Sequence, residues 1–274
     1  MAEPKVKRHR STAAVLLTIT GIAAAVLALC VLFIYLSGIR YIRVRSPEGD
    51  IKFLGRVDKN GDPITGTIVY ENGVRAKVDL EKSEIVYSNG DLYDGPLTDL
   101  RRSGQGRLIY ANGDEYVGTF RADRIDGEGK YVFQNGDEYE GGFRDGVMDG
   151  EGVYRWLKEE GLYDVYTGSF RAGKKEGQGV FVWANGDRYE GGYAADQKSG
   201  YGVYVWQNGD RYEGEYVADA RSGRGKYTWA NGESYEGIFK NNVMWGEGTY
   251  TWPSGRTYTG YFENGVIVRV LSEE

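Results

Sequence analysis

The sequence predicts an all-β fold: an elongated single-layer antiparallel sheet of tandem β-hairpins, preceded by one N-terminal transmembrane helix. Three observations predict it. Asn-Gly pairs recur every 23 residues, apolar and polar residues alternate on both sides of each pair, and a long run near the N-terminus has no charged side chain. Alternation with period two is the signature of strands, and a fixed period of this length indicates a repeat architecture.

The uncharged run covers residues 11–39 and lies between Arg10 and Arg40. As a helix it would be about 43 Å long, against about 30 Å for the hydrocarbon core of a bilayer. A cleaved signal peptide is the competing interpretation, but its apolar region is shorter than this run. We therefore expect residues 1–10 to be a basic tail and residues 11–39 to be an uncleaved single-pass anchor in the cell membrane.

Basic residues flank both ends of this run, so the positive-inside rule gives nearly equal weight to the two orientations. A short basic tail usually stays inside, and long domains cross the membrane largely regardless of charge. We expect the C-terminal part to lie outside the cytoplasm.

The composition excludes several classes of function. The first 40 residues carry five basic side chains and one acidic one, and the whole chain has a net charge of −6, so the remainder carries −10. A surface of this sign does not favour nucleic acid. His9 is the only histidine and Cys30 the only cysteine, and both precede the repeats. Cys-His and Ser-His catalysis and zinc binding are therefore not expected there, and we predict a protein that is not an enzyme and needs no metal or cofactor.

The repeat is built around the Asn-Gly pair. Glycine lies six residues before the Asn, a ring or aliphatic side chain four before and, in most units, an aromatic residue two before; Tyr, Gly and an aromatic residue follow at four, six and eight. This spacing predicts two strands that put rings and glycines on one face and mostly polar residues on the other. The gap from Asn135 to Asn185 contains four extra residues, which lie between Tyr154 and Tyr166. The first residues of the pairs are Asn89, Asn112, Asn135, Asn185, Asn208 and Asn231, with Ser254 in the next unit.

The turn at Asn135-Gly136 must have an odd length, because a two-residue turn would put Tyr131 and Tyr139 on opposite faces. A three-residue loop sets Tyr131 opposite Tyr139, and a five-residue loop sets it opposite Gly141; both remain open. We expect the other connection, such as residues 144–150, to be a longer exposed polar loop. We expect the strand glycines to relieve crowding between rings rather than to admit a ligand.

Carboxylates recur next to these turns, and we interpret them as turn support, since Asp favours turns. Calcium binding or acid–base catalysis by them is the alternative interpretation, and an enzyme that uses them is a distant possibility for the function. The residues concerned include Asp114, Asp137, Asp187 and Asp210.

The Tyr-x-Gly-x-Phe segment at 139–143 and the Gly-x-Gly-x-Tyr segment at 150–154 resemble the MORN (membrane occupation and recognition nexus) repeat. The resemblance covers about residues 89–262. It implies an elongated, curved antiparallel sheet with one hairpin per repeat, and a role in protein interaction, dimerisation or membrane-proximal scaffolding. In enzymes that carry such repeats, catalysis resides in an additional domain. We expect residues 40–88 to be a degenerate β cap and residues 89–274 to be the repeat array.

A single-layer sheet has no second layer to cover its rings, so the aromatic face is expected to be partly exposed and to bind a partner. The partner would be a protein or peptide, possibly a second copy in a homodimer. A cell-envelope module for glycan or choline-like ligands is the alternative, although the paired Trp-Tyr clusters typical of such modules are missing. The predicted partner-binding residues are Tyr139, Tyr166, Trp183, Tyr189, Trp206, Tyr212, Trp229, Tyr235, Trp252 and Tyr258.

Overall fold

The computed structural model describes residues 12–46, 49–82 and 84–273. The expected basic tail, residues 1–10, lies outside the described residues. The chain divides into two compact units, Met1–Leu92 and Tyr93–Glu274.

The described part of the first unit contains one helix and five complete strands. Helix α1 ends three residues before the predicted end of the apolar run, and Gly38 follows it with φ +73°. A left-handed glycine just past the last turn is a common helix terminator. Each strand pairs antiparallel with the next. The elements are α1 (Thr12–Leu36), β1 (Ile39–Val44), β2 (Ile51–Val57), β3 (Pro63–Tyr70), β4 (Arg75–Asp79) and β5 (Glu84–Tyr87).

The core of the first unit lies on one face of this small sheet. Phe53, Ile68 and Ile85 have no accessible surface. A Cβ added at Gly55 or Gly66 would lie 2.6–2.7 Å from the ring of Phe53, so the ring rests directly on the backbone of two glycines. The stretch predicted to be a degenerate cap thus uses a phenylalanine ring packed over paired glycines.

The second unit is a long antiparallel sheet of hairpins, in which each strand from β9 to β23 pairs with the next. Strands β7 and β8 form a separate short ladder. The all-β, tandem-hairpin fold is therefore confirmed. The strands are β6 (Leu92–Asp94, across the division of the units), β7 (Leu97–Thr98), β8 (Arg101–Arg102), β9 (Gly104–Ile109), β10 (Glu115–Arg121), β11 (Arg124–Val132), β12 (Glu138–Arg144), β13 (Val147–Glu159), β14 (Leu162–Arg171), β15 (Lys174–Val182), β16 (Arg188–Ala194), β17 (Gln197–Val205), β18 (Arg211–Val217), β19 (Ala220–Thr228), β20 (Ser234–Lys240), β21 (Val243–Thr251), β22 (Thr257–Glu263) and β23 (Val266–Glu273).

The Asn-Gly connection is a three-residue loop. Tyr131 pairs with Tyr139, and the amide of Phe133 donates to the carbonyl of Asp137 at 2.9 Å. Gly136 has φ +87°, the left-handed conformation that closes this type of hairpin. The parity argument is confirmed, and the five-residue alternative is wrong at this turn.

The connection at the other end of the hairpins is a tight two-residue turn, so the expected long polar loop is wrong. Arg144 pairs with Val147, and Asp145 and Gly146 both have positive φ, at +50° and +83°. Such turns match the twist of the flanking strands. The polar residues after Val147 belong to β13, where a bulge opposite Gly142 absorbs the extra length.

The irregular unit is a longer hairpin of the same kind. Strands β13 and β14 continue past the usual turn position, with Trp156 opposite Asp164 and Leu157 opposite Tyr163. The four extra residues therefore extend both strands, and the hairpin needs no Asn-Gly pair.

The recurring carboxylates hold successive hairpins together. Asp210 accepts a hydrogen bond from the amide of Ala230 at 2.9 Å and another from the hydroxyl of Tyr227 at 2.7 Å. The Tyr227 hydroxyl is the main reason that the pKa of Asp210 lies below its ordinary value, and burial opposes it. Asp114 and Asp187 make the same contacts with the following hairpin. These contacts give the carboxylates a structural role in the turns.

Candidate functional site: the aromatic face

A column of tyrosines runs along the middle of the aromatic face and is fully buried. Tyr139 is typical: its hydroxyl donates to the carbonyl of Gly142 at 3.0 Å, and its ring covers Gly152 on the next strand. A Cβ at Gly152 would lie 2.5 Å from the hydroxyl oxygen and 2.6–2.7 Å from two ring carbons of Tyr139, closer than real Cβ atoms approach. The glycines therefore make room for the ring, as the crowding interpretation expected.

A second column of rings presses its edges against the tyrosines. Tyr139 contacts Phe143 of its own strand at 5.0 Å and Phe170 of the next hairpin at 5.1 Å, with interplanar angles of 89° and 84°. Tyr189 is bracketed in the same way by Tyr193 and Tyr216. Edge-to-face pairs of this geometry each contribute about 0.5–1.5 kcal/mol beyond their area. The buried columns join one hairpin to the next.

A third set of rings forms a continuous line of ring contacts, mostly tilted, nearer the Asn-Gly turns, and we call it the ring ladder. Within each hairpin the rings lie close, as for Tyr204 and Trp206 at 4.4 Å. Between hairpins the spacing is only slightly larger, as for Trp206 and Tyr227 at 5.2 Å. All members except Phe181 are only half-buried. The ladder consists of Tyr131, Phe133, Tyr154, Trp156, Phe181, Trp183, Tyr204, Trp206, Tyr227, Trp229, Tyr250 and Trp252.

The predicted partner-binding residues divide into two groups. Tyr139, Tyr166, Tyr189, Tyr212 and Tyr235 have 0% exposed surface, so the expected partial exposure does not hold for them. Their rings fill the space above the paired glycines. This packing buries the rings in the way that a second layer would. The half-buried group consists of Trp183, Trp206, Trp229, Trp252 and Tyr258.

Sequence reasoning missed the tyrosines of the ring ladder, such as Tyr204 and Tyr227. Their position four residues before each Asn belongs to the recognised pattern, but alternation marks the face of a side chain and not its depth. The tyrosine after the turn is buried because its hydroxyl reaches a backbone carbonyl across the glycines. The tyrosine before the turn has a different partner, the turn carboxylate, and remains at the surface.

Three cations among the rings were also missed: Lys175, Lys198 and Arg221, one in each of three consecutive hairpins. Lys198 lies 5.3–5.7 Å from the centroids of four rings, namely Trp183, Tyr189, Tyr204 and Tyr216. Burial lowers the pKa of the Lys175 and Lys198 ammonium groups. Cation–π attraction offsets part of the lost hydration.

The opposite face is polar and contains two open clefts. One has a volume of about 740 Å³ and is lined by side chains that include Glu128, Lys130 and Glu140. The other has a volume of about 810 Å³ and includes Tyr201 and Lys226 in its lining. Among residues 12–46, 49–82 and 84–273, no group of three or more His, Cys, Asp or Glu side chains is placed to hold a metal ion.

Tandem hairpins with a buried tyrosine over each pair of glycines define a single-layer β-repeat protein. The chain belongs to the MORN repeat family, whose model matches just over half of the 274 residues. The matched segments are 101–115, 116–138, 139–156, 166–188, 189–211, 212–234 and 235–255.

Solved structures with some similarity to this chain include the wild-type TCP10 domain of Danio rerio CPAP, at 13% identity and a TM-score of 0.31, covering 85% of this chain and 99% of that one. Another is the SAS-4 TCP domain of Drosophila melanogaster in complex with a proline-rich motif of Ana2, at 13% identity and a TM-score of 0.29, covering 76% and 97%. Scores this low carry no inference about binding or activity. No curated protein matches the chain.

Proposed function

We propose that this chain is a membrane-anchored scaffold that binds a partner protein or peptide through the ring ladder and has no catalytic activity. The observation that supports it is a line of half-buried aromatic rings along a sheet over which the described residues place no second layer. Aromatic side chains that keep accessible surface in a contiguous row are typical of interaction sites. Of the residues predicted from sequence, the proposal keeps Trp183, Trp206, Trp229 and Trp252 of the ladder, together with Tyr258, whose ring centroid lies 6.1 Å from that of Trp252.

Helix α1 is the proposed membrane anchor. Residues Ala14–Leu36 have a mean hydropathy of 2.7 and none of that span is buried by the rest of the protein. The 25 residues of the helix reach about 37 Å, enough to cross a bilayer with some tilt. Arg40 lies 4.2 Å from the ring of Tyr35, which puts an aromatic ring and a charge at one end of the span, as at membrane interfaces. We propose that the repeat array lies outside the cytoplasm.

The test is proximity labelling from the C-terminus of the full-length protein in the cells that make it. We compare the wild type with Trp206→Ala on the ring ladder and Tyr201→Ala on the polar face, where Tyr201 is 59% exposed. Trp206→Ala should lower the labelling of a specific partner at least tenfold, and Tyr201→Ala should leave it unchanged. Thermal unfolding of the purified variants shows that both remain folded.

The labelling experiment and a resin-binding assay separate this proposal from a binding site on the polar face and from an envelope ligand. Loss of labelling in Tyr201→Ala alone would move the binding site to the polar face and refute the ladder. Retention of the purified protein on choline or cell-wall resin, with no protein partner labelled, would favour an envelope ligand. The compartment of the labelled proteins reports the orientation, and labelling confined to cytoplasmic proteins contradicts the proposed topology.

A further inference from the structure

One position of the hairpin lies on the aromatic face beside the tight turn and recurs once per repeat. It carries Met148, then Lys175, Lys198 and Arg221, then Met244. Phe170 pairs with Lys175 and Tyr193 pairs with Lys198, so the position shares the face of the rings. Three consecutive hairpins therefore put a cation where the flanking hairpins have methionine.

Among the described residues no carboxylate forms an ion pair with these cations, although the charges of Asp196 and Asp219 act on Lys175, and that of Asp219 acts on Lys198, from beyond ion-pair distance. Arg102 occupies the same position near the start of the array. Its backbone amide donates to Asp123 at 2.8 Å, and its guanidinium also lies 3.4 Å from that carboxylate. In the later hairpins the corresponding Asp196 and Asp219 accept hydrogen bonds from the backbone amides of Lys175 and Lys198, at 2.9 Å each.

At Arg221 the residue equivalent to Asp123 is an asparagine. The Arg221 guanidinium donates to the backbone carbonyl of Asn242 at 2.8 Å, a neutral acceptor. Thus two ammonium groups and one guanidinium are surrounded by rings and form no ion pair within the part of the chain that the structure describes. A half-buried cation in that setting is stabilised by an incoming carboxylate.

The rings around the cations add an apolar component to the surface. Lys175 lies 5.7 Å from the centroid of Trp156, Lys198 lies 5.7 Å from Trp183, and Arg221 lies 5.8 Å from Trp206. Each cation thus borders a half-buried tryptophan of the ring ladder. A ligand that reaches the cations would also contact the ladder.

Lys175, Lys198 and Arg221 form a row, and the spacing of this row favours one conformation of the ligand. Successive hairpins are two strands apart, or about 9.6 Å at 4.8 Å per strand. A polyproline II segment rises about 3.1 Å per residue and has three residues per turn, so every third side chain points the same way at about 9.3 Å intervals. A β-strand alternates its side chains, and residues three apart point to opposite sides.

We propose that Lys175, Lys198 and Arg221 bind an acidic segment of a partner protein, extended as polyproline II along the array, with a carboxylate at every third residue and apolar residues on the ladder. This inference rests on the proposed function and specifies its partner. The net charge of −10 on residues 41–274 disfavours non-specific attraction of polyanions, so the selectivity has to come from this local row.

The test measures binding of fluorescent peptides to the full-length protein in non-ionic detergent micelles by fluorescence anisotropy. The probe is four repeats of Glu-Pro-Pro. The comparison peptides have the same composition with the four Glu adjacent, or Lys in place of Glu. Heparin and vesicles with anionic lipid serve as other polyanions.

The variants use residues that the chain itself tolerates at this position. The triple change Lys175→Met, Lys198→Met and Arg221→Met puts methionine in all three hairpins. The flanking hairpins already have Met148 and Met244 at this position, so folding is expected to be preserved. The matched control makes Lys130→Met, Arg224→Met and Lys226→Met, which remove the same charge from the polar-face clefts.

We expect the wild type and the matched control to bind the periodic peptide alike, and the triple variant to bind it at least tenfold more weakly. The clustered peptide should bind at least fivefold more weakly than the periodic one, and the Lys peptide should not bind. Equal binding by the triple variant, equal binding of heparin or anionic vesicles, or no binding by the wild type overturns the inference.

The failure of this inference differs from the failure of the proposed function. If Trp206→Ala loses the partner in the proximity-labelling experiment and the triple variant keeps it, the ladder binds a partner by other means. If both variants keep the partner, the proposal that the ring ladder binds a partner is wrong.

Discussion

Replacement of a single glycine beneath a tyrosine ring tests the central packing claim. In Gly152→Ala the new methyl group would lie 2.5–2.7 Å from the hydroxyl oxygen and two ring carbons of Tyr139. Because Gly152 does not have positive φ, the backbone itself accepts alanine. The ring must therefore move, or the two strands must separate. Overpacking of this kind typically costs about 1–3 kcal/mol.

A displaced ring also loses its own contacts. Tyr139 has no exposed surface, donates one hydrogen bond to Gly142 and makes two edge-to-face contacts. The hydrogen bond is worth about 1 kcal/mol and each edge contact about 0.5–1.5 kcal/mol. Since displacement relieves the clash at the expense of these contacts, we expect Gly152→Ala to lower the free energy of unfolding by about 3 kcal/mol.

Gly161→Ala is the matched control. It makes the same chemical change, but its strain comes from the backbone conformation and not from contact with a ring. Gly161 lies in the turn of the irregular hairpin with φ +75°, and nothing lies within 4 Å of an added Cβ. Left-handed backbone at a non-glycine residue costs about 1–2 kcal/mol. Urea unfolding of both full-length variants in detergent micelles, followed by tryptophan fluorescence, compares them. An effect of Gly152→Ala no larger than that of Gly161→Ala would refute the packing argument.

Three further predictions concern pH and ring burial. The Tyr227 hydroxyl holds the pKa of Asp210 below its ordinary value, so this carboxylate contributes stability that is present above about pH 4 and is lost as pH falls through the lowered value; melting of Asp210→Ala should depend less on acid than melting of the wild type. Tyr116 belongs to the buried tyrosine column and has 0% exposed surface. Burial raises its pKa to about 12, so its contribution to stability is present below about pH 10 and is lost as pH rises towards 12; tyrosinate absorbance from the buried column should appear together with loss of circular dichroism, and titration before unfolding would contradict this. Tyr212→Ala should cost about 3–5 kcal/mol and Trp206→Ala clearly less, because Tyr212 has no exposed surface and Trp206 is half-buried; equal losses by chemical denaturation would contradict the separation of core from ladder.

Several features of the fold could be predicted because they follow from spacing alone. The odd turn follows from the parity of strand pairing at Tyr131 and Tyr139, and the structure has that pair in register. The tight turn at Asp145-Gly146 could not be predicted in the same way. Its two residues are followed by a bulge, and a bulge shifts pairing without any change in the repeat length.

For the candidate site, the sequence predicted which side of the sheet carries the rings but not which rings are buried. Tyr212 and Trp206 both point to the aromatic side, but the first closes over Gly225 while the second stacks on Tyr204 at the surface. The sequence did not predict that Lys175 and Lys198 lie among the rings, since a lysine in a polar segment is expected to be exposed to solvent. Their position opposite Phe170 and Tyr193 depends on the bulge that sets the local register.

The sequence by itself determined the repeat, the alternation of ring and polar faces, the odd Asn-Gly turn and an apolar helix near the N-terminus, because each depends on periodicity or on the length of an uncharged run. Only the tertiary structure decided which rings are buried, which form the half-buried ladder and which cations form no ion pair among the described residues. The physical reason is that depth and pairing arise from contacts between neighbouring hairpins. Those contacts depend on bulges, on hydrogen bonds across glycines and on the acid or amide in the next turn.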